Sequence, residues 1–155
     1  MDLQKPQDLF MLESGDVVTK RNLYDLIRDS KIEGSYYWAG PRMSIGNTPQ
    51  QGINWIGQLS KCRGVIIKTR PGIYKYDGWV NEEKTFFRYS FKARNGTISY
   101  SEKANKVLIN QSTNLYPIFL FTDHKDSWIF EGSFSVFQIE EKYVILRKHP
   151  EESTI

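Results

Sequence analysis

A chain of 155 residues, 39% hydrophobic and 14% aromatic, is sized for one globular domain with a buried core. No apolar run approaches the roughly 20 residues of a membrane-crossing helix; the acidic stretch from Met1 to Gly15 is not laid out like a signal peptide; and the single Cys62 excludes an internal disulfide, so a reduced, cytoplasmic protein is expected. The net charge of +3 is uneven: residues 1–16 carry one Lys and four acids, residues 17–106 sixteen Lys/Arg and seven acids, and residues 107–155 four Lys/Arg and seven acids, so a basic middle that can steer polyanions lies between acidic ends.

In chain order, residues 1–14 read as an irregular lead-in. Thr19 can cap a helix through its hydroxyl, and Leu23, Leu26 and Ile27 recur at helical spacing, which predicts one short amphipathic helix over residues 20–29. Residues 34–60 hold Gly34, Gly40, Pro41, Gly46, Asn47, Pro49, Gly52 and Gly57, a density that breaks regular structure and marks a long irregular segment. From residue 64 the pattern turns to strands. Val65–Thr69, Ile73–Tyr76, Thr85–Phe91, Thr97–Tyr100, Ile118–Thr122, Ser127–Phe130, Phe134–Ile139 and Val144–Lys148 are β-branched or aromatic runs separated by turn residues. Asn95-Gly96 is a hairpin signal, and residues 102–111 suggest a second short helix. Many short strands with few helices predict an α+β fold: a small curled β-barrel with one or two short helices.

From Gly34 to Tyr76 there is no Asp or Glu, while Arg42, Lys61, Arg63, Lys68, Arg70 and Lys75 alternate with Tyr36, Tyr37, Trp38, Trp55, Tyr74 and Tyr76. Cations interleaved with rings suit a polyanion with flat bases. The stretch ends in Tyr74-Lys75-Tyr76-Asp77-Gly78-Trp79, a lone acid among rings. A base taken out of a duplex needs flat faces and polar groups for its edge, and a carboxylate can accept from the cytosine N4 amino group. Tyr74, Tyr76, Asp77 and Trp79 are therefore candidate pocket residues, with Trp38 or Trp55 as a lid or wedge. The competing reading makes the rings core residues and Asp77 a turn cap.

Lys20, Arg21, Arg42, Lys61, Arg63, Lys68, Arg70 and Lys75 are candidate phosphate contacts. Lys20 and Arg21 open the first helix against the dipole preference for anions, a placement that suits a phosphate docked at the same terminus. In the glycine-rich segment Asn47, Gln50, Gln51 and Asn54, with Arg42, carry groups that can read base edges in a groove. His124 and His149 stand far apart with no second Cys, so no zinc-ligand spacing exists. Asp77 followed by Glu82-Glu83-Lys84 echoes the carboxylate and lysine set of metal-dependent nucleases, but the second group reads as a solvated turn. No catalytic residue, metal site or cofactor is assigned.

The order of motifs resembles the SRA-like (SET and RING associated, PUA-superfamily) domains joined to HNH nucleases in bacterial modification-dependent restriction enzymes. Gly15-Asp16-Val17-Val18-Thr19-Lys20-Arg21 is similar to the family's opening, Gln51-Gly52-Ile53 to its Gly-Ile turn, Val65-Ile66-Ile67 to its first barrel strand and Tyr76-Asp77-Gly78-Trp79 to its Tyr-x-Asp-Gly-Trp segment. Phe87-Arg88-Tyr89 stands where the family has an aromatic strand, and Asn105-Lys106-Val107-Leu108 resembles its Asn-x-Ala-Leu/Ile helix. Pro117-Ile118-Phe119-Leu120-Phe121 and Phe130-Glu131-Gly132-Ser133-Phe134 resemble its late strands. The likeness covers about residues 15–146. Where the family carries a Gly-Glu-Gly-rich loop, this chain reads Ser90-Phe91-Lys92-Ala93-Arg94-Asn95-Gly96.

The resemblance implies a PUA/SRA-like DNA-binding domain over residues 15–150, with residues 151–155 as a tail. It would bind double-stranded DNA bearing 5-methyl- or hydroxymethylcytosine by base flipping, without a catalytic site of its own. A nuclease or motor domain would sit elsewhere in the same protein or on a partner subunit. Two other readings stay open: a B3-like reader of unmodified duplex sequence, and a PUA-type RNA-binding module.

Overall fold

The computed structural model describes residues 2–73 and 76–150. The lead-in is ordered. A 3-10 turn over Pro6–Met11 is held by the Asp8 carboxylate, which accepts from the amides of Gln4 at 2.7 Å and Lys5 at 3.1 Å. Leu3, Leu9 and Leu12 drop from it into the core. Strand β1 (Val17–Thr19) then leads into helix α1 (Lys20–Asp29), where the Thr19 hydroxyl accepts from the Asn22 amide at 3.0 Å as the spacing predicts. Leu23, Leu26 and Ile27 are fully buried, each stabilising the helix by about 1.5–3 kcal/mol against solvent exposure.

The glycine-rich segment is more regular than expected. It contains β2 (Ile45–Gly46) and β3 (Ile53–Ile56), an antiparallel pair in which Ile45 faces Ile56. Ser30, buried at the end of α1, ties helix to strand: its hydroxyl donates to the Ile27 carbonyl at 3.2 Å and accepts from the Ile45 amide at 3.0 Å. Next come β4 (Gly64–Thr69), β5 (Gly78–Trp79), β6 (Phe86–Ser90) and the small hairpin β7 (Ala93–Arg94) and β8 (Thr97–Ile98). Asn95 and Gly96 turn that hairpin with φ of 52° and 77°, the paired positive values of a type I′ turn. Helices α2 (Lys103–Ile109) and α3 (Gln111–Asn114) precede β9 (Ile118–His124), β10 (Ser127–Ile139) and β11 (Tyr143–Lys148). No helix among the described residues is long and apolar enough to cross a membrane.

Among the described residues nine strands form one mixed sheet in the order β2-β3-β4-β9-β10-β11-β6-β5, with β1 beside β10; of these, β4 and β9 run parallel. The expected small curled β-barrel is corrected to a sheet that does not close. The path ends at β2 and β5, which do not pair, and each is two residues long, too short to carry a closing ladder. The expected strand over Ile73–Tyr76 is also corrected at its start. Ile73 is exposed in a turn behind Gly72 (φ 89°), Tyr74 and Lys75 lie outside the described residues, and the next described strand opens at Gly78.

Alternate residues of the central strands feed two cores. Val65, Ile67, Ile118 and Leu120 face α2, β6 and β11, whereas Ile66, Phe119 and Phe121 face α1 and the lead-in. Two runs expected as separate strands are one, β10, bent by a bulge at Glu131: Phe130 pairs with Phe121, and Gly132 with Leu120. The extra residue changes face. Phe130 therefore joins the α1 core and Phe134 the other. Gly132 sits there at φ 127°, and a Cβ would lie 2.8 Å from Lys148 Cε.

Candidate functional site

A cavity of about 620 Å³ opens beside β4. Gln51, Gly52 and Ile53 line it from the β3 side, Lys68 from β4, and Tyr89 and Ser90 from β6. Its wall continues through Phe91, Lys92 and Ala93, is backed by Ala104, Asn105 and Leu108 of α2, and Trp128 of β10 adds a further ring.

Asp77 lines this cavity and is only 6% exposed. The Thr69 hydroxyl at the end of β4 donates to one carboxylate oxygen at 2.8 Å, and the Ser90 amide at the end of β6 donates to the other at 2.8 Å. Each oxygen has further lone-pair capacity, so a fixed acceptor stands at the cavity wall. The Ser90 hydroxyl is buried and makes no hydrogen bond among the described residues.

Asn105, 1% exposed, holds the wall itself. Its carbonyl oxygen accepts from the Lys92 amide at 2.7 Å, and its amide nitrogen donates to the carbonyls of Lys92 at 3.0 Å and Ser99 at 2.9 Å. The Lys92 amine then reaches Gln51 Oε1 at 3.3 Å and Glu102 Oε1 at 3.2 Å. On β4 the Lys68 amine donates to the Pro49 carbonyl at 2.6 Å, with no carboxylate among the described residues in ion-pair reach. Burial without a counter-charge lowers its pKa to about 8.

At the rim, Arg70 Nε lies 3.8 Å from Asp123, which also pairs with Lys20; the Lys20 amine stands 5.0 Å from the Trp128 ring centre. The charge that opens α1 is thus shared with Asp123 and with a ring of the cavity. Gln50 lines the cavity and donates to the Tyr24 hydroxyl at 3.0 Å.

Of the residues expected from sequence, Asp77, Lys68, Arg70, Gln50 and Gln51 come together at this cavity, and Lys20 adjoins it. Tyr76 lies outside, stacked on Tyr143 with centroids 5.1 Å apart. It lines a shallower depression of about 280 Å³ that shares Ser90, Phe91 and Ala93 with the main cavity. Trp79 turns inward, edge-on to Phe87 at 5.0 Å. Trp55 covers Gly46, where an added Cβ would fall 2.2 Å from the indole nitrogen. Trp38 is half-buried in the loop after α1, its carbonyl accepting from the Lys5 amine at 3.1 Å. None of these three tryptophans lines the cavity.

Arg42, Lys61 and Arg63 are exposed around the turn at Gly57, and Arg21 is exposed with Nε 3.4 Å from Asp25. None of these four cations lines the cavity. Asn47 and Asn54 direct their amides inward: Asn47 donates to the Ile53 carbonyl at 3.0 Å, and the fully buried Asn54 to Gly46 at 3.1 Å and Thr48 at 3.0 Å. Both brace the β2–β3 connection. Tyr74 and Lys75 lie outside the described residues. Glu82 and Glu83 are exposed in the turn after β5, apart from buried Asp77.

Sequence reading missed Tyr89, Ser90, Lys92, Asn105 and Trp128 as cavity residues. Phe87-Arg88-Tyr89 carried a usable signal, since strand alternation puts Tyr89 on the face of buried Phe87. Trp128 arrives only through the β9–β10 pairing, which no local pattern announces.

No family model and no curated protein matches the chain. Solved structures do. The SUVH5 SRA domain in complex with hemi-methylated CG DNA superposes with a TM-score of 0.58 at 17% identity, covering 93% of each chain. The DNA recognition domain of the cytosine modification-dependent restriction endonuclease LpnPI gives 0.53 at 15% identity, over 96% of this chain and 77% of that one. The DNA modification-dependent restriction endonuclease AspBHI gives 0.53 at 14% identity over 70% of this chain, which spans 65% of that protein. The fold of this chain is that of SRA domains and of the DNA-recognition domains of modification-dependent restriction endonucleases.

Proposed function

We propose that the chain binds double-stranded DNA and receives a modified cytosine, turned out of the duplex, in the cavity around Asp77. The observation that carries this reading is the fixed carboxylate. Thr69 and Ser90 hold Asp77 at the cavity wall, ready to accept from an exocyclic amino group. Tyr89, Phe91 and Trp128 supply rings in the same cavity, as an extruded base requires. Lys68, Arg70 and Lys92 bring positive charge to it for flanking phosphates. The likenesses support the same reading, one being a complex with hemi-methylated CG DNA and another a recognition domain of a cytosine modification-dependent endonuclease.

The role is recognition, and any cleavage belongs to a nuclease or motor domain in the same protein or in a partner. A groove reader built on residues 40–57 fits less well, because Asn47 and Asn54 use their amides to brace their own loop. The test is competition binding with duplexes identical except for one cytosine, plain or carrying a 5-substituent, across a salt series. Preference for the modified duplex at every salt concentration supports the reading. Equal affinity throughout defeats it.

A further inference from the structure

We infer that the outer face of strands β6, β10 and β11 is the docking surface for a partner protein, which covers it with an apolar segment carrying a carboxylate. Strand alternation builds the face. Phe87, Val144 and Leu146 are buried in the α2 core, so Phe86 and Arg88 of β6 and Tyr143, Ile145 and Arg147 of β11 point to the other side of the sheet. Strand β10 adds Phe137 through a second bulge. Val136 pairs with Leu146 and Gln138 with Ile145, which leaves Phe137 as the extra residue, re-aimed outward. It stands edge-on to Phe86 with centroids 5.1 Å apart and is 54% exposed. The core under α1 and the lead-in covers this side of β4 and β9 but takes in no residue of β6 or β11. An apolar face left open in this way marks an interaction site.

Charge says what covers it. The exposed Arg147 guanidinium lies 5.6 Å from the Phe137 ring centre, and that of Arg88 lies 5.7 Å from the Tyr143 ring centre. Neither has a carboxylate in ion-pair reach among the described residues. A carboxylate is the group the face lacks, and a guanidinium can take one through two hydrogen bonds. Rings and arginines at the centre, with charges kept to the rim, are the make-up of protein interfaces. The rim here bears both signs: Glu82, Glu83 and Lys84 in the turn before Phe86, and Glu140, Glu141 and Lys142 in the turn before Tyr143. Since Phe86 pairs with Arg147 and Ser90 with Tyr143, those turns lie at opposite ends of the face, and a nucleic-acid backbone laid along it would meet acids at both. A second copy of this chain, docked about a two-fold axis, would set these arginines against their own counterparts, and like charges oppose binding. None of these face residues lines the cavity around Asp77, so the inference goes beyond the proposed function.

The experiment selects a phage-displayed library of random peptides on the wild-type chain, then titrates the most enriched peptide against wild type, Phe137→Ser and Arg147→Gln. Peptides that join Asp or Glu to aromatic or aliphatic residues should be enriched. Each substitution should weaken the selected peptide about tenfold or more, the size of an interface anchor. Both positions are exposed, so both variants should fold and keep the wild-type preference between modified and plain duplexes. No enrichment, a selected peptide without a carboxylate, or one that binds both variants like wild type overturns the inference. Displacement of the peptide by a single-stranded oligonucleotide also overturns it, by giving the face to nucleic acid. So does a dimer of the chain alone in sedimentation velocity that Phe137→Ser dissociates, by giving the face to a second copy. A wild-type chain that binds modified and plain duplexes alike defeats the proposed function and leaves this inference standing.

Discussion

Ser90 gives its backbone amide to Asp77 at 2.8 Å and keeps its own hydroxyl buried beside it. With Thr69 on the other oxygen, the carboxylate is anchored between the ends of two strands, β4 and β6, that are not neighbours in the sheet. An acceptor held this way needs no reorganisation to meet a donor.

Asp77→Asn is the direct probe of that acceptor. The substitution preserves shape, but one of the two oxygens becomes an amide nitrogen that cannot accept from Thr69 or Ser90, nor from a base amino group. Plain and modified cytosine carry the same C4 amino group, so affinity for both duplexes should fall by about five- to 150-fold, in the range of one base contact at about 1–3 kcal/mol. Paired anisotropy titrations measure it. Unchanged affinity would remove Asp77 from the recognition site.

Trp128→Ala tests the ring that only tertiary structure brings to the cavity. Loss of one base-stacking ring should weaken binding by about 1–3 kcal/mol. The Lys20 amine, 5.0 Å from that ring, stays paired with Asp123, so charge at the rim is kept. Loss of affinity with an unchanged salt slope would mark the ring as a stacking surface. An affinity equal to wild type would show that it is not one.

Lys68 provides a pH signature. Its folded pKa, about 8, lies below its ordinary value of 10.5. Below pH 8 the amine is charged in both states, and the folded protein bears the full burial penalty. Between about 8 and 10.5 the unfolded chain holds more protons, so this group makes stability rise with pH there. Denaturant midpoints measured across that window should show the rise in wild type relative to Lys68→Met. DNA phosphate should favour the charged amine, so complex formation near pH 8.5 should take up protons, seen as buffer-dependent heats in calorimetry. Proton release instead would place Lys68 away from the DNA.

Gly132→Ala tests the bulge that redirects β10. At φ 127°, with Lys148 Cε 2.8 Å from the added carbon, the substitution is both strained and crowded. A loss of about 1–3 kcal/mol in chemical denaturation is expected. A loss below 0.5 kcal/mol, within the ordinary range for surface changes, would show that the bulge relaxes freely.

Helix α1 and strands β4, β6, β9 and β11 were legible because local pattern and burial agree in them: Thr19 caps, Leu23 and Leu26 face inward, and Val65 to Ile67 form an apolar run. Strands β2 and β3 were hidden because glycine and proline dominate that segment, while its buried apolar residues are Ile45, Ile53 and Ile56. Glu131-Gly132-Ser133 reads as a turn, yet partners on both sides carry the strand through it. Asp77 stood out as an acid among rings. Trp128, Ser90 and Lys92 did not, because pairing and the Asn105 clamp, rather than spacing, place them at the cavity.

A crystal structure of the chain with a duplex bearing one modified cytosine tests the central claim most directly. It should show that base outside the helical stack, its exocyclic amino group within about 2.7–3.2 Å of an Asp77 oxygen. A base still paired and stacked, with the DNA lying away from the cavity, would contradict the account.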